Sequence, residues 1–264
     1  MNIFLHELKA YRKSTFFWTL SLVLVAVVFL SLFPAFTKDA DATKRLLEGF
    51  PKELIKAMGL SLDTFFSILG YYSFVFVYVT LCGAIQAMNF GLSILSKEVA
   101  DRTADFLLTK PITRYQIMTA KLSAVLVSLI FTNFFYVLSA YFMINLLTID
   151  PINNRVFFLI SFSLLMVQLI FFAIGVLISV LIPKIKSVLT YSLSIVFGFF
   201  ILDLFNELVG EKVLRYFVPF KYYDSLYIMV HASYDVPFVV LGFIIVGGSI
   251  LTSYVIYGKK DFLL

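Results

Sequence analysis

Between Lys97 and Lys121 the chain gathers Lys97, Glu98, Asp101, Arg102, Asp105, Lys110, Arg114 and Lys121 into an island flanked by two long apolar runs. From Glu98 to Leu108 the composition favours a helix. Glu98, Asp101, Arg102 and Asp105 would form a dense charged face, while Val99, Phe106 and Leu107 share an apolar one. Lys110-Pro111 stops that helix, because proline lacks a backbone donor and disfavours helix at the residue before it. Thr113 is placed to cap a second helix that starts amphipathically through Arg114, Gln116 and Lys121. The predicted shape is a helix, a hinge and an interfacial helix. Its chemistry is ion pairing and docking, and two readings stand: a knuckle that receives force from a soluble partner, or a solvated turn whose charges only fix topology.

Other chemistry is sparse. No G-x-x-x-x-G-K-S/T phosphate loop occurs; Gly258-Lys259-Lys260 is the nearest string and lacks the hydroxyl residue and the upstream glycine. No G-x-S-x-G serine elbow occurs, and His6 and His231 are far apart, so neither catalytic residues nor metal ligands are expected. The single Cys82 lies in an apolar run and reads as a small buried hydrophobe. Uncharged polar side chains inside apolar runs are Gln86, Asn89, Asn133 and Gln168. Gln86 and Asn89 are three apart and share a helix face. These four would line a path, or they would hydrogen-bond helix to helix, and the second is favoured.

The elements that must carry these groups are membrane helices. The chain is 61% apolar and 14% charged with a mean hydropathy of +0.97, far from a soluble domain. Six spans are predicted: Thr15 to Phe36, Phe65 to Leu95, Leu122 to Leu147, Val156 to Ile182, Val188 to Leu204 and Val236 to Tyr257. The first is read as retained, since its apolar run exceeds a signal sequence and no small-residue cleavage site follows Pro34. Met1 to Lys13 sets Phe4, Leu5, Leu8 and Tyr11 against Glu7, Lys9, Arg12 and Lys13, the pattern of a helix lying in the headgroup plane. Ala40 to Met58 reads as a short helical pair broken by Gly49 and Pro51, and Asn206 to Asp235 as a semi-polar segment that partly re-enters the membrane.

Six spans place both termini on one side. That side collects twelve of the 21 Lys and Arg residues, including Lys9, Lys97, Lys121, Lys184 and Lys259, so it is assigned to the cytosol. The net charge of +5 flanks apolar runs, which points to anionic lipid headgroups rather than nucleic acid. A bacterial plasma (inner) membrane fits the composition.

The spacing Glu98, Thr103, Asp105-Phe106-Leu107-Leu108, Pro111-Ile112-Thr113-Arg114 and then Lys121 resembles the signature after the second span of type-2 ABC transporter permeases. The likeness extends to the amphipathic N-terminus, the six spans and the chain length. Arg102 departs from the usual glycine, and Ala104 and Asp105 from the usual leucine and glutamate. The resemblance implies a single all-α permease domain over residues 1–264, with residues 1–13 interfacial and the island a coupling helix between the second and third spans. It implies no cofactor on this chain, with ATP and Mg2+ on a separate cytosolic ABC ATPase present in two copies, and a second permease chain as homo- or heterodimer. Carried over, Glu98 pairs with a basic residue of the ATPase; Asp101 and Arg102 lie on the same docking face. Thr103 and Asp105 hold the knuckle, Phe106 and Leu107 pack into the groove, and Pro111 and Arg114 set its bend. The implied activity is ATP-driven export of an amphipathic peptide, drug-like compound or lipid. The competing classes are an ion-coupled carrier and an immunity or scaffold protein acting by binding alone.

Overall fold

The computed structural model describes residues 3–51, 55, 60, 64–100, 113–148, 151–182, 185–209 and 213–259, with backbone only for 95–100. Its described elements are helical, with no strand among them. Six helices are long and apolar enough to cross a membrane: α1 (Ile3–Ser31), α4 (Ile68–Ala100), α5 (Arg114–Leu147), α6 (Asn154–Leu181), α7 (Val188–Val209) and α9 (Val236–Lys259). Even the 22-residue α7 reaches about 33 Å, enough for a hydrocarbon core of about 30 Å. Short helices α2 (Phe33–Thr37), α3 (Ala40–Glu48) and α8 (Ser225–His231) occupy the connections.

All six expected spans are present, with shifted ends. The amphipathic head at residues 3–13 runs directly into the first span, because no glycine or proline interrupts the chain between Ile3 and Ser31. It is the first part of α1 rather than a separate element. α5 starts at Arg114, eight residues before the apolar run, because Thr113 caps it. Thr113 Oγ1 accepts from Gln116 N at 3.3 Å and Gln116 Oε1 accepts from Thr113 N at 3.1 Å, the reciprocal capping box. α7 continues past Leu204 to Val209, where Glu207 pairs with Lys221 of the segment that follows. The first half of the expected outer pair is α3, capped by Asp39 and ended at Gly49.

α4 packs most extensively against α6, α1 against α5, and α9 against α6. At the α4–α6 crossing the two backbones touch: a Cβ on Gly91 would collide with the Phe172 carbonyl oxygen and come within 2.9 Å of Val176 N. Close approach at small residues is how membrane helices gain packing energy without a hydrophobic drive.

The segment between α7 and α9 folds inward through two 3-10 turns, Leu214–Phe217 and Pro219–Tyr223. Phe220 packs at a tilt on Phe171 (centroids 5.0 Å) and edge-on to Phe200 (5.9 Å), which brings it level with the middle of α6. Non-helical backbone at such depth is tolerated where protein buries it. Lys221 rides on this turn, pairing with Glu207 and, at 4.0 Å, with Asp224. Burial alone would lower its pKa, but Asp224, Asp203 and Glu207 together raise it above the ordinary lysine range. Stability from a raised lysine is fully present below its unfolded pKa and is lost only as pH rises through the folded one. Lys221→Met is therefore expected to lower stability by about 3 kcal/mol, the low end for a broken buried pair, since it leaves buried Asp203 and half-buried Glu207 and Asp224 without their cation. The loss, read as thermal unfolding in detergent, should be at least as large at about pH 9 as at about pH 7: both lie below the unfolded lysine pKa, and the stranded carboxylates are more fully ionised at the higher pH.

Candidate functional site

The island's two stems are held by chemistry that the sequence pattern hid. Lys121, two turns into α5, is buried at 3% exposure on the stripe of Ile117, Met118, Ala124 and Val125. Its Nζ donates to the Ile94 carbonyl oxygen on α4 at 3.0 Å and pairs with Glu7 Oε1 on α1 at 3.4 Å. One turn further along α1, the Tyr11 hydroxyl and Ser93 Oγ are 3.1 Å apart, with the Tyr11 ring edge-on to Phe90. On the other flank Thr119 Oγ1 meets the Tyr254 hydroxyl at 2.8 Å, and Tyr115 lies against Gly258. The ends of α1, α4, α5 and α9 that flank the island are thereby joined.

Sequence reasoning placed Lys121 among the interfacial cations; the structure corrects this, because its position on the apolar stripe carries it inward. The readable signal was a lysine in register with Ile117, Met118 and Val125. Arg114 opens α5 and is partly exposed. Residues 101–112, with Asp101, Arg102, Thr103, Asp105, Phe106, Leu107 and Pro111, lie outside the described residues, as does the Glu98 side chain.

Three of the four amides that the sequence places inside apolar runs meet in one network. Asn133 Nδ2 donates to Leu129 O at 2.9 Å and to Gln168 Oε1 at 2.5 Å. Gln168 Nε2 donates to Gln86 Oε1 at 3.1 Å, and Gln86 Nε2 donates to Thr132 Oγ1 at 3.0 Å. Thr132 Oγ1 also lies 2.9 Å from Thr19 Oγ1, so the chain of bonds joins α1, α4, α5 and α6. The Leu129 carbonyl fixes the direction, since only an N–H can face it. Asn89 is half-buried and stands outside this network. A second set, unremarked in the sequence, links the Tyr72 hydroxyl to the Tyr136 hydroxyl (2.8 Å) and Ser161 Oγ (2.7 Å).

These bonds register helices; they bring together no nucleophile and base, and no metal-binding cluster exists among the described residues. Gln168→Leu would leave Gln86 Oε1 and Asn133 Nδ2 short of a partner, at an expected cost of about 1–3 kcal/mol. Asn89→Leu should stay within about 0.5 kcal/mol. Thermal unfolding of both variants in the same detergent checks the contrast; equal losses would contradict it.

Two cavities accompany these features. One of about 50 Å³ is lined by Thr80, Val167, Asp203, Lys221 and Asp224. The other, an apolar groove of about 410 Å³ between α5 and α6, is lined by Asn133, Phe134, Leu138, Phe158 and Phe162 among others.

The family model described as ABC-2 family transporter protein matches residues 1–261, nearly the whole chain. No curated protein matches it.

Proposed function

The chain belongs to the ABC-2 transporter family, as a multi-pass permease subunit of an ABC transporter, and from that premise we propose that it exports an amphipathic compound from the cytosol. In this reading two permease chains flank the path, and two cytosolic ATPases bind ATP and Mg2+ and drive the switch from inward- to outward-facing. Both termini and the island lie in the cytosol, at a bacterial plasma membrane.

The observation that carries the reading is the pattern Glu98, Thr103, Asp105-Phe106-Leu107, Pro111 and Arg114, which runs from the last turn of α4 to the first residue of α5. Glu98 pairs with a basic residue of the ATPase, and Asp101 and Arg102 lie on the same docking face. Thr103 and Asp105 shape the knuckle, Phe106 and Leu107 fill the ATPase groove, and Pro111 and Arg114 set its bend. Of the four amides Asn133 borders the groove that would take cargo, while Gln86 and Gln168 hold helices in register. Support for amphipathic cargo comes from the groove beside Asn133, whose walls are otherwise almost wholly apolar. Its volume lies in the range of small-molecule sites, about 300–1,000 Å³.

An ion-coupled carrier is the second reading, and the buried carboxylate of Asp203 within α7 is the observation that favours it. Nucleotide dependence separates the two. Inverted membrane vesicles carrying this chain and its ATPase should accumulate amphipathic dyes with ATP and retain that ability when proton and sodium gradients are collapsed. Accumulation driven by an ion gradient without ATP would sink the exporter reading.

A further inference from the structure

Removing a lysine ammonium from water costs several kcal/mol, and ion pairs do not generally return that cost as stability. At position 121 a methionine would continue the apolar stripe of Ile117, Met118, Ala124 and Val125 without any such penalty. The ammonium nevertheless sits at 3% exposure and touches three helices: its own α5, the α4 carbonyl of Ile94, and the α1 carboxylate of Glu7. Ile94 and Lys121 lie on the two stems that lead into and out of residues 101–112. Glu7 and Tyr11 are four apart on α1 and so share a face; both reach those stems, Glu7 at Lys121 and Tyr11 at Ser93. The link between α5 and α9 is of another kind, a hydroxyl pair at the exposed surface.

We propose that Lys121 and Glu7 are positioning residues that lock the head of α1 to both stems of the 101–112 segment. A push delivered there then moves α1, α4 and α5 as one body. A buried charge pair suits this role because it has one satisfied geometry, whereas apolar contacts slide past one another at little cost. The functional part rests on the coupling reading above; the lock itself is a property of this chain alone.

The test uses the full chain with Cys82→Ala, spin labels at His6→Cys on α1 and Ala120→Cys on α5, and whatever ATPase co-purifies. With Lys121 and Glu7 intact, one narrow distance is expected, the same in the nucleotide-free and vanadate-trapped complexes. Lys121→Met should broaden it and lower ATP hydrolysis in the complex by about tenfold, the scale of a typical coupling energy. ATPase co-purification should be retained, and Lys121→Arg should restore both readouts. Glu7→Gln, which keeps the Ile94 bond, repeats the test should Lys121→Met fail to fold. A distance in the intact pair that changes between the two states overturns the proposal, as do variants with an unchanged distance and unchanged hydrolysis. Absence of any ATPase would contradict the coupling reading, while the nucleotide-free distances would still decide the lock.

Discussion

Gly91→Leu is expected to yield no monodisperse protein, while Gly198→Leu and Gly247→Leu purify as the unmodified chain does. Any Cβ at position 91 meets the backbone of α6 at Phe172, Gly175 and Val176, and backbone has no rotamer with which to withdraw. The opposite position is closed as well, since a Cβ on Gly175 would stand 2.9 Å from the Met88 carbonyl oxygen and 3.2 Å from the Gly91 Cα. Overpacking a core costs about 1–3 kcal/mol when side chains can shift, and more when they cannot. Gly91→Ala should already cost about 3 kcal/mol, and leucine must separate the most extensive helix pair in the bundle. Gly198 and Gly247 have nothing within 4 Å of an added Cβ, so their expected change is within about 0.5 kcal/mol. Size-exclusion profiles and unfolding midpoints of the variants decide the matter; a well-behaved Gly91→Leu protein would refute the crossing geometry.

Glu98→Ala should leave the chain folded and remove its grip on the ATPase. In the proposed complex this carboxylate meets a basic group across a docked interface, and truncating one partner of a desolvated charge pair costs about 2–5 kcal/mol. Even the lower figure is about 30-fold in affinity. ATP-dependent export should fall in step, whereas the thermal midpoint of the isolated chain should not move. Glu98→Gln keeps the shape and loses the charge, so it should behave like the alanine variant if the ion pair matters. Unchanged export by both variants would remove Glu98 from the coupling surface.

Much of this molecule was legible because lipid leaves few options: an apolar run of sufficient length must be a helix, and six such runs became six helices. Thr113 was readable as a cap because the backbone needs an acceptor there and threonine supplies it. Gln86, Asn133 and Gln168 stood out as polar groups in apolar runs. Their mutual bonds could not be read, because three-dimensional neighbours leave no spacing rule when they come from different helices. Lys121 was misplaced for a related reason. Charge marks a residue as interfacial unless its partners are known, and Glu7 lies more than a hundred residues away. The half-buried contacts of Lys221 with Glu207 and Asp224 were hidden in the same way, behind a segment whose composition announced only a semi-polar loop.

In the proposed function a separate ATPase drives this permease through the surface between α4 and α5. The most direct measurement is to purify the tagged chain in mild detergent from its native host, with and without ATP, and identify the soluble proteins that co-elute. A P-loop ATPase is expected in stoichiometric amount, strongly depleted when Glu98 is replaced by alanine. Elution free of any ATPase under every nucleotide condition would contradict it.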